Sequence, residues 1–134
     1  MSQHPTEHSQ NSRFKSRGGL RRIWRAGLHS RAGFAHAWRH EAAFRQEFAI
    51  GAPLAVAAWW LTDSRAEALA LSGVILLVWI VELLNSAIEA LADAVCTEHH
   101  PLIGRAKDIG SAAVMLAIGI ALLTWVAILL PLPG

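Results

Sequence analysis

The spacing of apolar positions divides the chain into a polar start and a series of helical stretches. Residues 1–18 are mostly Ser, Gln, His and charged residues with almost nothing to bury, so this tail is expected to be disordered. From Leu20 the rhythm changes. At about 100° per residue, Leu20, Ile23, Trp24, Leu28, Phe34, Ala35 and Trp38 share one side of a helix, with Arg21, Arg22, Arg25, Arg39 and the histidines largely opposite. That pattern predicts an amphipathic helix over 20–40 lying in a membrane interface. Arg31 falls on the apolar side, and Gly27 and Gly33 lower helix propensity. The pattern therefore also accommodates two shorter pieces, or an Arg31 turned toward a phosphate.

The next apolar run, Phe48 to Leu61, is shorter than the about 20 residues that cross a bilayer. Glu41, Arg45 and Glu47 are thus expected to begin the helix near headgroup level, giving a first span over 41–61. Pro53 is placed to kink it, and Trp59 and Trp60 suit the far interface. A polar turn, Thr62 to Glu67, leads to a second span over 68–95. Pro101 and Gly104 are expected to stop the helix in a loop from Cys96 to Lys107, with Asp108 capping a third span over 109–130. Those 22 residues carry no charge, and Pro131, Pro133 and Gly134 end them. The predicted fold is an all-α membrane protein, an interfacial helix plus three transmembrane helices.

Composition agrees, since 134 residues at 54% apolar and 16% charged lie outside the usual range of a small water-soluble domain. Charge adds orientation. Nine of the twelve Lys and Arg residues precede residue 48, which places the amino terminus and the 96–107 loop in the cytoplasm and the carboxyl terminus outside it. Anionic lipid headgroups suit this basic arm better than nucleic acid, because it has no recognisable reading module. No apolar run follows the basic start within 30 residues, so no cleaved signal peptide is expected. A lone Cys96 forms no intrachain disulfide. Cys96, Glu98, His99 and His100 fit no zinc spacing, and no phosphate-binding glycine motif is present.

The chemistry concentrates on the second span. Glu82, Asn85, Ser86, Glu89 and Asp93 lie within an arc of about 100°, with Glu82 and Glu89 two turns, roughly 10.5 Å, apart along the axis. A charge at the centre of a membrane helix costs about 2.5 to 3.5 kcal/mol on insertion scales, so it persists where it has partners, water or a task. With the helix running inward, Glu82 is the deeper residue, and Glu89 and Asp93 approach the cytosol. This face suits a proton acceptor in catalysis, a proton relay in an ion transporter, or polar glue between helices. Ala113, Ala117 and Ala121 suggest a close helix contact at four-residue spacing.

Glu41-Ala-Ala-Phe-Arg-Gln-Glu47, Val81-Glu-Leu-Leu-Asn-Ser-Ala-Ile-Glu-Ala90 and Gly104-Arg-Ala-Lys-Asp-Ile-Gly-Ser-Ala-Ala113 resemble, in this order, the motifs of the prokaryotic diacylglycerol kinase family. The resemblance covers about residues 20 to 130. It implies a small inner-membrane lipid kinase, a homotrimer with active sites shared between subunits, using magnesium and ATP to make phosphatidic acid from diacylglycerol. It further implies that Glu82 is the catalytic base, that Glu41 and Glu89 hold the metal, and that Asn85 plays a supporting part, orienting Glu82 or the phosphate. Arg22, His29, Glu41, Glu89, Glu98, His99, His100, Lys107 and Asp108 would meet ATP. Arg22, Ala43, Phe44, Arg45, Gln46, Glu47, Glu82 and Ser111 would meet the lipid. His29 and His99 depart from the family pattern, which has an aromatic residue there. An undecaprenol kinase of the same family differs in its lipid and shares the chemistry.

Overall fold

The computed structural model describes residues 19–95 and 100–130, so the expected tail and the loop residues Cys96, Glu98 and His99 lie outside the described residues. Among the described residues, four helices follow one another: α1 (Gly19–His40), α2 (Ala42–Leu61), α3 (Arg65–Val95) and α4 (Pro101–Leu129). The described residues contain no strand.

The described residues divide into two units, the first ending at Phe34 and the second beginning at Ala35. In the first, α1 exposes Ile23, Trp24 and Leu28, which with Arg21, Gly27 and Arg31 line one apolar groove. Gly27 and Gly33 do not break the helix, which removes the two-piece alternative. A helical glycine costs only about 1 kcal/mol against alanine.

In the second unit α3 is central and packs against both α2 and α4. Its buried residues are Ala68, Leu71, Ile75, Val78, Glu82, Asn85 and Ala92, spaced by threes, fours and one step of seven. On α2 the buried set is Phe44, Gly51 and Ala58, and on α4 it is Gly110 and Ala117, each set seven apart. A seven-residue repeat keeps one seam facing a partner helix that crosses at about 20°. It also corrects the alanine stripe. Ala117 is buried and Ala121 half-buried, whereas Ala113 is exposed, because the contact follows the heptad and not a four-residue step.

Small residues and polar links hold the seam. A methyl on Gly51 would come within 2.8 Å of Ile75 Cγ2 and 3.1 Å of Trp79 Cζ2, so α2 approaches α3 as closely as only glycine permits. Ser72 Oγ donates to the Ala55 carbonyl at 3.0 Å, and Trp125 Nε1 to the Leu71 carbonyl at 3.3 Å. Each joins α3 to one partner helix.

Two helix boundaries differ from the sequence reading. α3 starts at Arg65, where Ala68 N donates to the Ser64 carbonyl at 3.0 Å, leaving Thr62 to Ser64 as the turn. α4 starts at Pro101, and His100, not Asp108, is its N-cap, its Nδ1 accepting from Leu102 N at 3.3 Å. Proline at the first helical position lacks an N–H that would have no helical partner anyway, so Pro101 opens the helix where a break was expected. Gly104 is simply carried through it.

α3 and α4 are long and apolar enough to cross a membrane, and only 28% and 6% of their apolar stretches are buried within the chain. A core helix of a soluble protein would be mostly covered by its own chain. α2 is 20 residues long but carries Arg45 and Glu47 in its first turns.

Candidate active site

The α3 seam changes character along its length. From Ala68 to Val78 it is apolar, and from Glu82 onward it becomes polar without leaving the core: Glu82 is 4% and Asn85 8% exposed. Of the face read from helical periodicity, Glu82 and Asn85 are thus buried, Ser86 and Glu89 half-buried, and Asp93 exposed. A carboxylate so enclosed needs a partner or a function, since isolated burial of a charge is strongly unfavourable.

The surroundings of Glu82 are acidic. Glu89 and Glu41 both bear electrostatically on its carboxylate, and Glu82 in turn bears on Glu47. Four acids from α2, its cap and α3 therefore converge. Glu89 is steadied by Asn85, whose Nδ2 donates to Glu89 Oε1 at 3.1 Å. Glu41 stands at the joint between α1 and α2 with φ −101° and ψ 110°, as the N-cap of α2, but its side chain makes no cap hydrogen bond. An acid at an N-cap ordinarily satisfies a backbone N–H of the first turn. Leaving that bond unmade keeps the Glu41 oxygens available.

Among the described residues, three buried polar atoms have no hydrogen-bond partner: Glu47 Oε2, Asn85 Oδ1 and Ser86 Oγ. Most buried polar atoms in folded proteins are paired, so three around one acidic cluster mark a place built to meet something else. Among the described residues, no three His, Cys, Asp or Glu side chains form a metal cluster by themselves. The oxygen-rich donor set nevertheless fits a hard divalent cation of the magnesium type, which takes one or two carboxylates and completes its shell with water or substrate oxygens.

Beside the acidic cluster, Phe48 stacks on Trp79 with ring centres 4.7 Å apart and packs edge-on against Trp38 at 5.4 Å. A groove of about 240 Å³ between α2, α3 and α4 runs from Glu47 past Gly51, Ile75 and Trp79 to Trp125. Its walls are apolar except for Glu47. A molecule with a hydroxyl at one end and a hydrocarbon tail matches that lining.

The remaining sequence candidates fall in several places. Phe44 is buried, Ala43 and Gln46 are exposed on α2, and Arg45 holds the end of α1, its Nη1 donating to the Trp38 and Arg39 carbonyls at 3.1 and 3.4 Å. Lys107 Nζ pairs with Asp93 Oδ1 at 2.9 Å, tying α4 to the Val95 end of α3. Asp108 and Ser111 are exposed on α4, and His100 is occupied at its cap. Arg22 and His29 are exposed within the first unit. Glu98 and His99 lie outside the described residues. The sequence reading singled out neither Gly110, which lies directly against Asn85, nor the Phe48–Trp79 stack. Gly110 sits inside a quoted motif, but its significance depends on the register between α3 and α4.

Comparison with known proteins gives the arrangement its context. Residues 28–129 match the sequence profile of prokaryotic diacylglycerol kinase. A diacylglycerol kinase of Pseudomonas aeruginosa is 50% identical over 119 residues, 89% of this chain and 97% of that protein. One of Escherichia coli K12 is 48% identical over 112 residues, 83% of this chain and 91% of that protein. One of Haemophilus influenzae is 38% identical over 111 residues, covering 83% and 94%. At this identity and coverage, the chain belongs to the prokaryotic diacylglycerol kinase family and is a kinase.

Proposed function

We propose that this protein phosphorylates diacylglycerol with ATP, forming phosphatidic acid and ADP, in the bacterial inner membrane. The observation that carries the reading is the buried Glu82, flanked by Glu89 and Glu41 on the polar half of the α3 seam. Glu82 takes the proton from the lipid hydroxyl as that oxygen attacks the γ-phosphorus. The bond from the γ-phosphorus to the ADP oxygen then breaks. Phosphoryl transfer demands mainly positioning and charge compensation, so a base and a few fixed charges suffice without a phosphate-binding loop.

Glu41 and Glu89 are the residues suited to hold magnesium, the first with no cap bond and the second steadied by Asn85. Magnesium, when bound, supplies the positive charge that offsets the phosphate oxygens. Asn85 fixes the Glu89 carboxylate, and Lys107 in the second turn of α4 offers a cation to the nucleotide phosphates. Arg22, His29, Glu98, His99, His100 and Asp108 complete the ATP side. Ala43, Phe44, Arg45, Gln46, Glu47 and Ser111 frame the lipid.

The three-span topology, with the amino terminus and the α3–α4 connection cytoplasmic, rests on the crowding of basic residues before residue 48. A homotrimer accords with an α4 whose apolar stretch is only 6% buried within one chain. The test is a kinase assay in mixed micelles containing ATP and magnesium, with diacylglycerol and undecaprenol side by side and a magnesium-free control. Phosphatidic acid formed in a magnesium-dependent manner is the expected result. A strong preference for undecaprenol would reassign the lipid, and no ATP-dependent product from either would overturn the reading.

A further inference from the structure

In the polar half of the seam, α4 meets Asn85 of α3 through a residue with no side chain. A methyl group on Gly110 would collide with Asn85 Oδ1 and stand 3.3 Å from Asn85 Cγ and 3.9 Å from Asn85 Cβ. Asn85 has little room to retreat. It is 8% exposed, it belongs to the heptad seam, and its Nδ2 is held by Glu89 Oε1 at 3.1 Å.

The carboxamide orientation follows from its neighbours. An ionised carboxylate only accepts hydrogen bonds, so the NH2 of Asn85 faces Glu89 and the carbonyl oxygen is turned toward α4. That oxygen is buried, unpartnered and lodged over Gly110. Any side chain on Gly110 would force one of two changes. Either the carboxamide rotates and gives up Glu89, or α4 moves away from α3.

We propose that Gly110 is a positioning residue of the kinase reaction: its missing side chain is the space in which the Asn85 carboxamide stands, and through Asn85 it sets where Glu89 presents its oxygens. The inference rests on the reading of Glu89 as a metal ligand. Gly110 touches no reacting atom. Gly119 on the same helix shows the contrast, since a methyl there would meet nothing within 4 Å.

The test is a double-mutant cycle of Gly110→Ala and Asn85→Ala in the full-length protein, read by Mn2+ binding as a magnesium probe, by melting temperature, and by kinase activity of the single glycine variant. Coupled residues depart from additivity, whereas independent ones do not. Gly110→Ala alone is expected to weaken Mn2+ binding severalfold and to lower activity by about tenfold to a hundredfold, the scale of a misplacement of roughly 1 Å. Added to Asn85→Ala, it is expected to change neither Mn2+ binding nor melting temperature further. Equal losses in both backgrounds would overturn the proposal by making Gly110 a matter of helix contact alone, and so would a Gly110→Ala protein with parental activity and Mn2+ affinity. If Gly110→Ala proves too unstable to purify, recovery of a folded protein on adding Asn85→Ala supports the steric coupling, and no recovery overturns it. Glu89→Gln separates the two layers of the argument. Parental Mn2+ affinity in that variant would remove the metal role of Glu89, while the melting-temperature cycle would still report whether Gly110 and Asn85 are coupled.

Discussion

Replacing Glu82 by Gln keeps the size and shape of the side chain and removes its charge and basicity, so it separates what the carboxylate does for the fold from what it does for the reaction. Glu82 is 4% exposed and lies under the influence of Glu89 and Glu41. The neutral amide relieves that like-charge repulsion, and its NH2 can donate to either remaining carboxylate. Burying a charge is unfavourable and the substitution recovers part of that cost, so the melting temperature is expected to stay level or rise. Activity moves the other way. Loss of a general base costs about 10²- to 10⁴-fold, equivalent to about 2.7 to 5.4 kcal/mol of barrier. Phosphatidic acid formation in mixed micelles and thermal melting of the same detergent-solubilised sample give both quantities. Activity within about tenfold of the parent, or a loss of activity that tracks a fall in melting temperature, would refute the assignment of Glu82 as base.

Two further substitutions probe the frame around that site. Leu71 is fully buried, so Leu71→Ala is expected to cost about 2 to 5 kcal/mol of stability by denaturant titration while leaving the activity of the folded fraction near parental. Lys107→Ala and Asp93→Ala both remove the 2.9 Å ion pair between α4 and α3. If Lys107 meets the nucleotide, only Lys107→Ala raises the KM for ATP, and equal effects of the two variants would reduce Lys107 to a tether.

The polar face was legible in the sequence because helical spacing alone sets Glu82, Asn85 and Glu89 on one side, whatever that side packs against. The heptad that buries it was not read, because its apolar members, Ala68, Leu71, Ile75 and Val78, sit among many other apolar residues that remain exposed. In a membrane segment, hydrophobicity no longer distinguishes core from surface. The start of α4 was misplaced for a local reason. Pro101 and Gly104 signal a break in general, but a proline at the first helical turn signals an opening, and only the backbone tells which applies. The carboxylate of Glu41, close enough for its charge to reach Glu82, could not be read from spacing at all, since the two residues are 41 positions apart and are brought together by the packing of α2 on α3.

The change from an apolar to a polar seam along α3 also divides the molecule mechanically. At the end near Thr62, buried aliphatic residues and the Ser72–Ala55 and Trp125–Leu71 bonds clamp three helices together. Toward Val95, the described side-chain links are the Asn85–Glu89 bond within α3 and the exposed Lys107–Asp93 pair. Opening free energy follows the density of such contacts, so amide hydrogens of α3 beyond Glu82 exchange faster than those before Val78. The bundle is then a pair of tongs, pinned at one end and yielding at the end that carries Glu82, Asn85 and Glu89.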